Sequence, residues 1–215
     1  MSTRLSAHFT LEELLETHHR GVDNSPTPEH LENLCRLADF LEDVRRVRVG
    51  GGYGRGPGKM VGPLIVRSGY RSTLVNRLVY AHYVALFGRV PRFESDVRLL
   101  GIRKAWASLT RDEQRSLGDE RPPRSIWTSL HLFGCAADVV PLRSNGTPLE
   151  LVRSVIASDL QYEEVIFERG ERSTWMHIAI PRVAGALPSM RRLMKFPGRD
   201  YEAFDFAEAE RLLTS

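Results

Sequence analysis

The segment SLHLFGCAADVV, residues 129–140, combines two potential metal ligands with a short predicted strand. His131 lies at the entry to this strand and Asp138 lies in its middle, with Gly134 and Ala136 between them. Small residues at these positions let the backbone turn and let a bound ion lie close to the chain. A catalytic zinc site usually has three protein ligands and one open position, and imidazole and carboxylate are suitable ligands. The segment therefore predicts part of a metal site.

A predicted hairpin downstream of this segment contains the third candidate ligand. Residues 164–168 and 175–180 are rich in apolar and β-branched residues, and the polar turn 169–173 joins them. This order is typical of a β-hairpin. His177 falls in the middle of the second strand. A strand is a rigid element from which to present a ligand, so His177 is a third candidate, although a single histidine in a strand is more often a structural residue held by hydrogen bonds.

The rest of the chain alternates further strands and helices. Residues 64–66 read as a short buried strand. Thr27 is predicted to cap a long helix that has Pro28 in its first turn, and Thr147 with Glu150 forms a capping box for another helix. The pattern predicts an α+β fold in one domain, residues 1–215. We expect an insertion at about 80–124, after a helix predicted from residue 73 to 87, and a helical tail at about 184–215.

Composition excludes several classes of protein. The chain has 215 residues and a formal net charge of +3, which is too mild to predict nucleic-acid binding. No apolar stretch approaches the length of a membrane helix, so no membrane span is expected. Cys35 and Cys135 lack zinc-finger spacing and are expected to be buried free thiols.

Three motifs resemble those of one known family. Residues 129–138 resemble the S-x-H-x-x-G-x-A-x-D motif of the zinc D-Ala-D-Ala carboxypeptidase superfamily, peptidase family M15. Residues 175–177, WMH, match its W-x-H motif, and SGYRS at residues 68–72 matches a third segment. The opening residues 5–11 are similar to a branch common in phage lysins and murein peptidases. The resemblance implies a Hedgehog/D-Ala-D-Ala peptidase-type fold: a small, mainly antiparallel sheet packed by helices, with the metal on its open face.

The resemblance also implies a chemistry for these residues. His131, Asp138 and His177 would bind one Zn²⁺ per chain, and Arg71 would hold a carbonyl oxygen or a substrate carboxylate. Ser129 would position the His131 loop or touch substrate. The implied activity is that of a zinc metallopeptidase acting on peptidoglycan stem or cross-link peptides, of D,D-carboxypeptidase or endopeptidase type. The oligomeric state and the bond that is cut stay open.

The general base requires a choice between two glutamates. In one branch of the family an acidic residue lies three positions before the final histidine, but here that position is Thr174. Glu168 ends the first strand of the predicted hairpin, and Glu171 lies in its turn. If Glu168 pairs opposite Trp175, then Glu168 and His177 share one face of the sheet; a register slip of one residue would separate them. We therefore predict Glu168 as the base, with Glu171 as the alternative.

Two non-enzymatic functions remain open at this point. One is a non-catalytic, zinc-stabilised binding module, because the Hedgehog-type fold also occurs in signalling domains. The other is a structural component of a phage particle. Residues 1–10 contain no apolar core typical of a signal peptide. A protein acting on the cell wall would then be made in the cytoplasm and released by other means, as phage lysins are.

Overall fold

The computed structural model describes residues 2–17, 22–49, 58–73, 75–76, 79, 129–170, 172–197 and 199–214. The predicted insertion at 80–124, most of the helix predicted at 73–87, and Glu171 lie outside these residues. Four helices and eight strands are defined in the described part. The helices are α1 (Leu11–Leu15), α2 (Pro28–Arg46), α3 (Pro148–Ile156) and α4 (Phe206–Thr214).

Six of the eight strands form one mixed sheet. The strands are β1 (Arg48–Val49), β2 (Lys59–Met60), β3 (Leu64–Ser68), β4 (Ala136–Pro141), β5 (Glu164–Arg169), β6 (Thr174–Ala179), β7 (Arg191–Lys195) and β8 (Glu202–Ala203). The strand order is β3-β4-β6-β5-β7-β8, and β1 pairs with β2 in a separate ribbon. Only the β5–β7 pairing is parallel. This mixture of helices with a mostly antiparallel sheet agrees with the α+β prediction.

The helix starts follow from local capping chemistry. Thr27 caps α2, with Pro28 at its start, and Thr147 caps α3 in a reciprocal pair with Glu150. Thr10 forms the same kind of capping box at α1. Each cap satisfies backbone N–H groups that have no partner within the helix. The predictions at Thr27 and Thr147 are confirmed.

The two faces of the central strands have different surroundings. Ala137 and Val139 of β4 and Met176 and Ile178 of β6 point into the apolar core, which also contains buried side chains of α2 and α3. Asp138 and His177 alternate with them and therefore point to the opposite face. This leaves one face of the strands for packing and the other for the site.

The cysteines and the C-terminal tail differ in part from expectation. Cys135 is buried as expected, but Cys35 is exposed because it lies beside the buried stripe of Leu34 and Ala38 rather than on it. The expected helical tail at 184–215 is wrong for most of its length. Helix is confined to α4, whereas β7 adds to the edge of β5 and buries Met194. Pairing with a distant strand decides this segment, and its local sequence does not show that pairing.

No helix in the described ranges has both the length and the apolar character needed to cross a membrane.

Candidate metal centre

The three predicted ligands come together in one buried cluster. Nε2 of His131 lies 3.1 Å from Nδ1 of His177 and 3.3 Å from Oδ1 of Asp138, and that same oxygen lies 3.0 Å from Nδ1 of His177. The exposed fractions of the three residues are only 3%, 7% and 7% for His131, Asp138 and His177. This group could hold a metal ion.

Strand register places two of these ligands side by side. Asp138 of β4 pairs directly with His177 of β6, so both side chains leave the same face of the sheet. A shift in register by one residue would turn one of them into the core. The pairing of β4 with β6 therefore places two of the three predicted ligands.

His131 reaches the cluster from a 3₁₀ turn, Leu130–Phe133, that precedes β4. Gly134 ends this turn with φ of 68°, and a Cβ there would lie 2.9 Å from the carbonyl oxygen of His30. Both the left-handed backbone and the close approach favour glycine. Gly134 thus explains why the turn before the strand can fold back toward α2.

The outward-facing nitrogen of each histidine has an acceptor as its partner. Nδ1 of His131 lies 2.6 Å from the carbonyl oxygen of Gly69, and Nε2 of His177 lies 3.2 Å from Oε1 of Glu164. A carbonyl cannot donate, so Nδ1 of His131 carries the proton. The carboxylate of Glu164 likewise accepts from Nε2 of His177. The inner nitrogens, Nε2 of His131 and Nδ1 of His177, are then free to act as ligands.

Gly69 brings its carbonyl to His131 through a close backbone contact. A Cβ on Gly69 would lie 2.3 Å from the carbonyl oxygen of Leu14, the same atom that accepts a hydrogen bond from the backbone of Tyr70. No larger residue fits there without displacing α1. The glycine of the SGYRS segment therefore supports the orientation of a ligand.

Burial and local charge set the protonation of the cluster. Burial and the nearby Arg71 guanidinium lower the pKa of His131 to about 4, so its imidazole is neutral at pH 7. Burial alone would raise the pKa of Asp138, but His131, His177 and Arg71 outweigh it and hold that pKa well below its usual range. Burial also opposes charge on His177, yet hydrogen bonds to Asp138 and Glu164 raise its pKa to about 10. Without a metal ion, His177 is therefore protonated at pH 7, and its Nδ1–H can donate to Oδ1 of Asp138.

Arg71 contacts a ligand directly. Its Nη2 donates to Oδ2 of Asp138 at 2.7 Å, and its Nε donates to Oγ of Ser68 at 2.8 Å. Arg71 thus lies beside the predicted ligands, as expected, and orients the outer oxygen of Asp138; its predicted contact with substrate stays a prediction. The guanidinium is also close enough to the cluster to lower the pKa of His131.

Glu168 lies on the same face of the sheet as His177. It pairs with Trp175, and Ile166 pairs with His177, which is the register that the sequence analysis required. Burial first, and then the charge of Asp138, raise the pKa of Glu168 to about 7. A carboxylate with its pKa near neutrality is suited to accept and release a proton. The structure therefore provides a titratable carboxylate on the face of the sheet that carries the candidate metal ligands.

Ser129 supports the turn that carries His131 through its backbone. Its carbonyl oxygen accepts a hydrogen bond from the amide of Leu132 at 3.0 Å, and its side chain makes no cap bond. The serine hydroxyl is thus not what holds this turn together.

Glu164 and its ion-pair partner Arg191 were not among the predicted site residues. Glu164 was identified only as the start of a strand. It lies four residues before Glu168, so strand alternation alone places both on one face. That signal was available in the sequence, but the contact with Arg191 depends on the unexpected strand β7.

The chain matches no protein-family model, no curated protein and no solved structure.

Proposed function

We propose that this chain is a zinc metallopeptidase that hydrolyses a peptide bond in peptidoglycan stem or cross-link peptides. The observation that carries the proposal is the convergence of three potential ligand atoms, from His131, Asp138 and His177. A single proton can join only two of these atoms, whereas one metal ion satisfies all three. The outer nitrogens are already engaged, as is usual for histidines that bind metals.

The donor set suits zinc in both chemistry and size. Two imidazoles and one carboxylate are a common ligand set for a catalytic zinc ion with one open position. Tetrahedral bonds of about 2.0–2.1 Å place ligand atoms roughly 3.3 Å apart. The three separations of 3.0, 3.1 and 3.3 Å are close to this spacing. Little movement would be needed for these side chains to hold the ion.

The residues around the cluster match the needs of peptide hydrolysis. Bound zinc would polarise the scissile carbonyl and lower the pKa of a water molecule toward 7. Glu168 would take the proton of the attacking water on its carboxylate and pass it to the departing amine nitrogen. Arg71 would add positive charge near the developing oxyanion while it orients Asp138.

The substrate class and the fold type rest on the motif resemblance. The motifs at residues 68–72, 129–138 and 175–177 occur in the order found in D-Ala-D-Ala peptidases, whose substrates are peptidoglycan peptides. A mainly antiparallel sheet with the metal ligands on one face supports a Hedgehog/D-Ala-D-Ala peptidase-type fold. Either a D,D-carboxypeptidase or an endopeptidase is compatible with this proposal.

One observation favours a second candidate, a zinc-stabilised binding module without hydrolysis. The ligands are nearly buried, and Arg71 is bonded to Asp138. A structural zinc ion typically lies in such a closed, internally bonded site. In that case zinc would change the stability of the protein and nothing else.

Digestion of purified murein separates the two candidates. Released peptides would be identified by mass spectrometry with native protein, with chelator-treated protein and after zinc is restored. Thermal unfolding of the same three samples would be followed by circular dichroism. We expect cleavage that chelation abolishes and zinc restores. Zinc-dependent stability without any cleavage product would instead support the binding module.

A further inference from the structure

Glu164 links the candidate metal cluster to strand β7. Its Oε1 lies 3.2 Å from Nε2 of His177, and its Oε2 lies 2.7 Å from Nη2 of Arg191. The side chain of Glu164 is 12% exposed and that of Arg191 is 53% exposed. The three residues therefore form a chain of contacts that runs from the protein surface to the cluster.

We propose that Glu164 is a positioning residue that sets the metal affinity of His177, and that Arg191 holds it in place. This rests on the metal centre of the proposed function but not on hydrolysis. Strand β7 then belongs to the metal site, although it supplies no ligand.

The strand pairing shows why these groups meet. Glu164 lies two residues before Ile166, which pairs with His177, so Glu164 and His177 leave the same face of the sheet. Directly opposite Glu164 on β6 is Ala179, whose methyl group leaves room for the glutamate to lean toward the histidine. On its other side Glu164 pairs with Arg191 across the parallel β5–β7 pairing.

The contact restricts the histidine in two ways. A carboxylate that accepts from Nε2–H favours the tautomer in which Nδ1 carries the lone pair. It also fixes the rotation of the ring, so that Nδ1 faces His131 and Asp138. Partners of this kind raise ligand basicity, and their loss typically weakens metal binding about 10–100-fold.

The ion pair with Arg191 limits the motion of Glu164. One of its oxygens faces His177 and the other faces Arg191, so the carboxylate is held from both sides. Because Arg191 is half exposed, its own contribution should be small, about two- to fivefold in affinity. Removal of Glu164 should therefore weaken metal binding more than removal of Arg191, although both act through His177.

Zinc affinity measured by competition with a chromogenic chelator tests the proposal. We expect Glu164→Ala to weaken binding about 10–100-fold. Glu164→Gln keeps an acceptor oxygen without the charge and should give an intermediate loss. Arg191→Ala should weaken binding about two- to fivefold, and Arg191→Lys should restore most of it.

Glu163→Ala provides the matched control. Glu163 precedes Glu164 and bonds to Ser189 instead of to the cluster. Its removal should leave zinc affinity within about twofold of wild type, since its side-chain bonds among the described residues go to Ser189 and the alanine variant keeps the backbone bond to Arg191. Circular dichroism would confirm that each variant is folded before its affinity is compared.

A spectroscopic readout separates positioning from general loss of structure. In the zinc-loaded wild-type protein, the Nε2–H proton of His177 should give a downfield nuclear magnetic resonance signal that exchanges slowly with solvent. The signal should disappear in Glu164→Ala and persist in Glu163→Ala. A folded Glu164→Ala variant with wild-type affinity and an unchanged signal would overturn the inference while leaving the metal centre intact. Wild-type protein that binds no zinc would overturn both, and failure to cleave murein would overturn only the enzymatic proposal.

Discussion

Two buried carboxylates of this protein, Glu42 and Asp138, lie in polar clusters that differ in how many of their acceptor positions have a fixed donor. Each oxygen of Glu42 accepts two hydrogen bonds. Oε1 accepts from the hydroxyl of Ser6 and the amide of His8, and Oε2 accepts from the His8 ring and Arg45, all at 2.7–2.9 Å. Every acceptor position on Glu42 has a donor, so this cluster is complete without a ligand.

In the described residues, one oxygen of Asp138, Oδ2, has a donor that is always protonated, the guanidinium of Arg71. Whether the other oxygen, Oδ1, has a donor depends on the protonation of the histidines. Arg71 bonds to Oδ2, but Oδ1 faces two histidine nitrogens whose neighbouring ring nitrogens already donate elsewhere. The Asp138 cluster could therefore hold either a cation or a proton on His177 that donates to Oδ1, whereas every acceptor position of Glu42 already has a donor. A buried carboxylate that only joins two segments thus differs from one that could bind a metal ion in whether fixed donors occupy all of its acceptor positions.

Removal of a ligand should have the largest effect. The wild-type protein should hold about one zinc ion per chain, and His131→Ala or His177→Ala should reduce this to near zero, because three ligands are the minimum set here. Metal content would be measured by elemental analysis after gel filtration. Glu42→Gln is the control and should keep its zinc. Full zinc occupancy in both histidine variants would show that the Asp138 cluster is not a metal site.

Glu168→Gln should remove catalysis and leave the cluster intact. We expect murein hydrolysis to fall about 10²-fold or more with zinc retained, because the variant has no carboxylate to accept a proton. In the wild type, activity should fall as the pH drops through the pKa of Glu168, since only the ionised form is a base. That pKa is about 7 without metal, and a bound cation would lower it. Near-normal activity in this variant, with Glu171→Gln inactive, would identify Glu171 as the base.

Arg71→Lys should have a smaller effect that separates two roles of this arginine. Lysine keeps the charge but lacks the planar guanidinium group, which can donate two parallel hydrogen bonds. Turnover should therefore fall roughly tenfold at saturating zinc. Turnover and zinc affinity would be measured on the same preparation. If zinc affinity falls while turnover at saturating zinc is unchanged, Arg71 only orients Asp138.

Glu42→Gln should change stability without touching the site. Burial alone would raise the pKa of Glu42, but hydrogen bonds from Ser6, His8 and Arg45 outweigh it and lower the pKa to about 2. Because the folded pKa is depressed, the stabilisation is fully present above about pH 4.5 and is lost as the pH falls toward 2. We expect Glu42→Gln to be less stable at pH 7 by about 1–3 kcal/mol.

Denaturant unfolding of wild type and variant between pH 7 and pH 2 measures this difference, which should shrink below pH 4.5. Asp43→Asn is a suitable control, since Asp43 is half exposed and its partner among the described residues is the surface residue Arg46. A stability difference that is constant down to pH 2 would contradict the assignment of charge to Glu42.

Two of the three candidate ligands could be identified together because they are close in sequence, whereas His177 lies 39 residues after Asp138 and was identified through its own motif. The turn around Gly134 and the strand that follows it place His131 and Asp138 within one short segment. The capping residues Thr27 and Thr147 were identifiable for the same reason, since each cap bonds to a residue three positions away. By contrast, the shared face of Glu168 and His177 could be stated only conditionally, because it depends on strand register.

The sequence by itself determined the helix starts, the alternation of the strands and the identity of the three candidate ligands. Only the tertiary structure decided that Asp138 pairs with His177, that Arg71 bonds to Asp138, and that β7 brings Arg191 to Glu164. The physical reason is that strands pair through backbone N–H and C=O groups, which nearly every residue has. Residue identity therefore specifies short-range caps and turns well, but it specifies weakly which distant strand will be the neighbour.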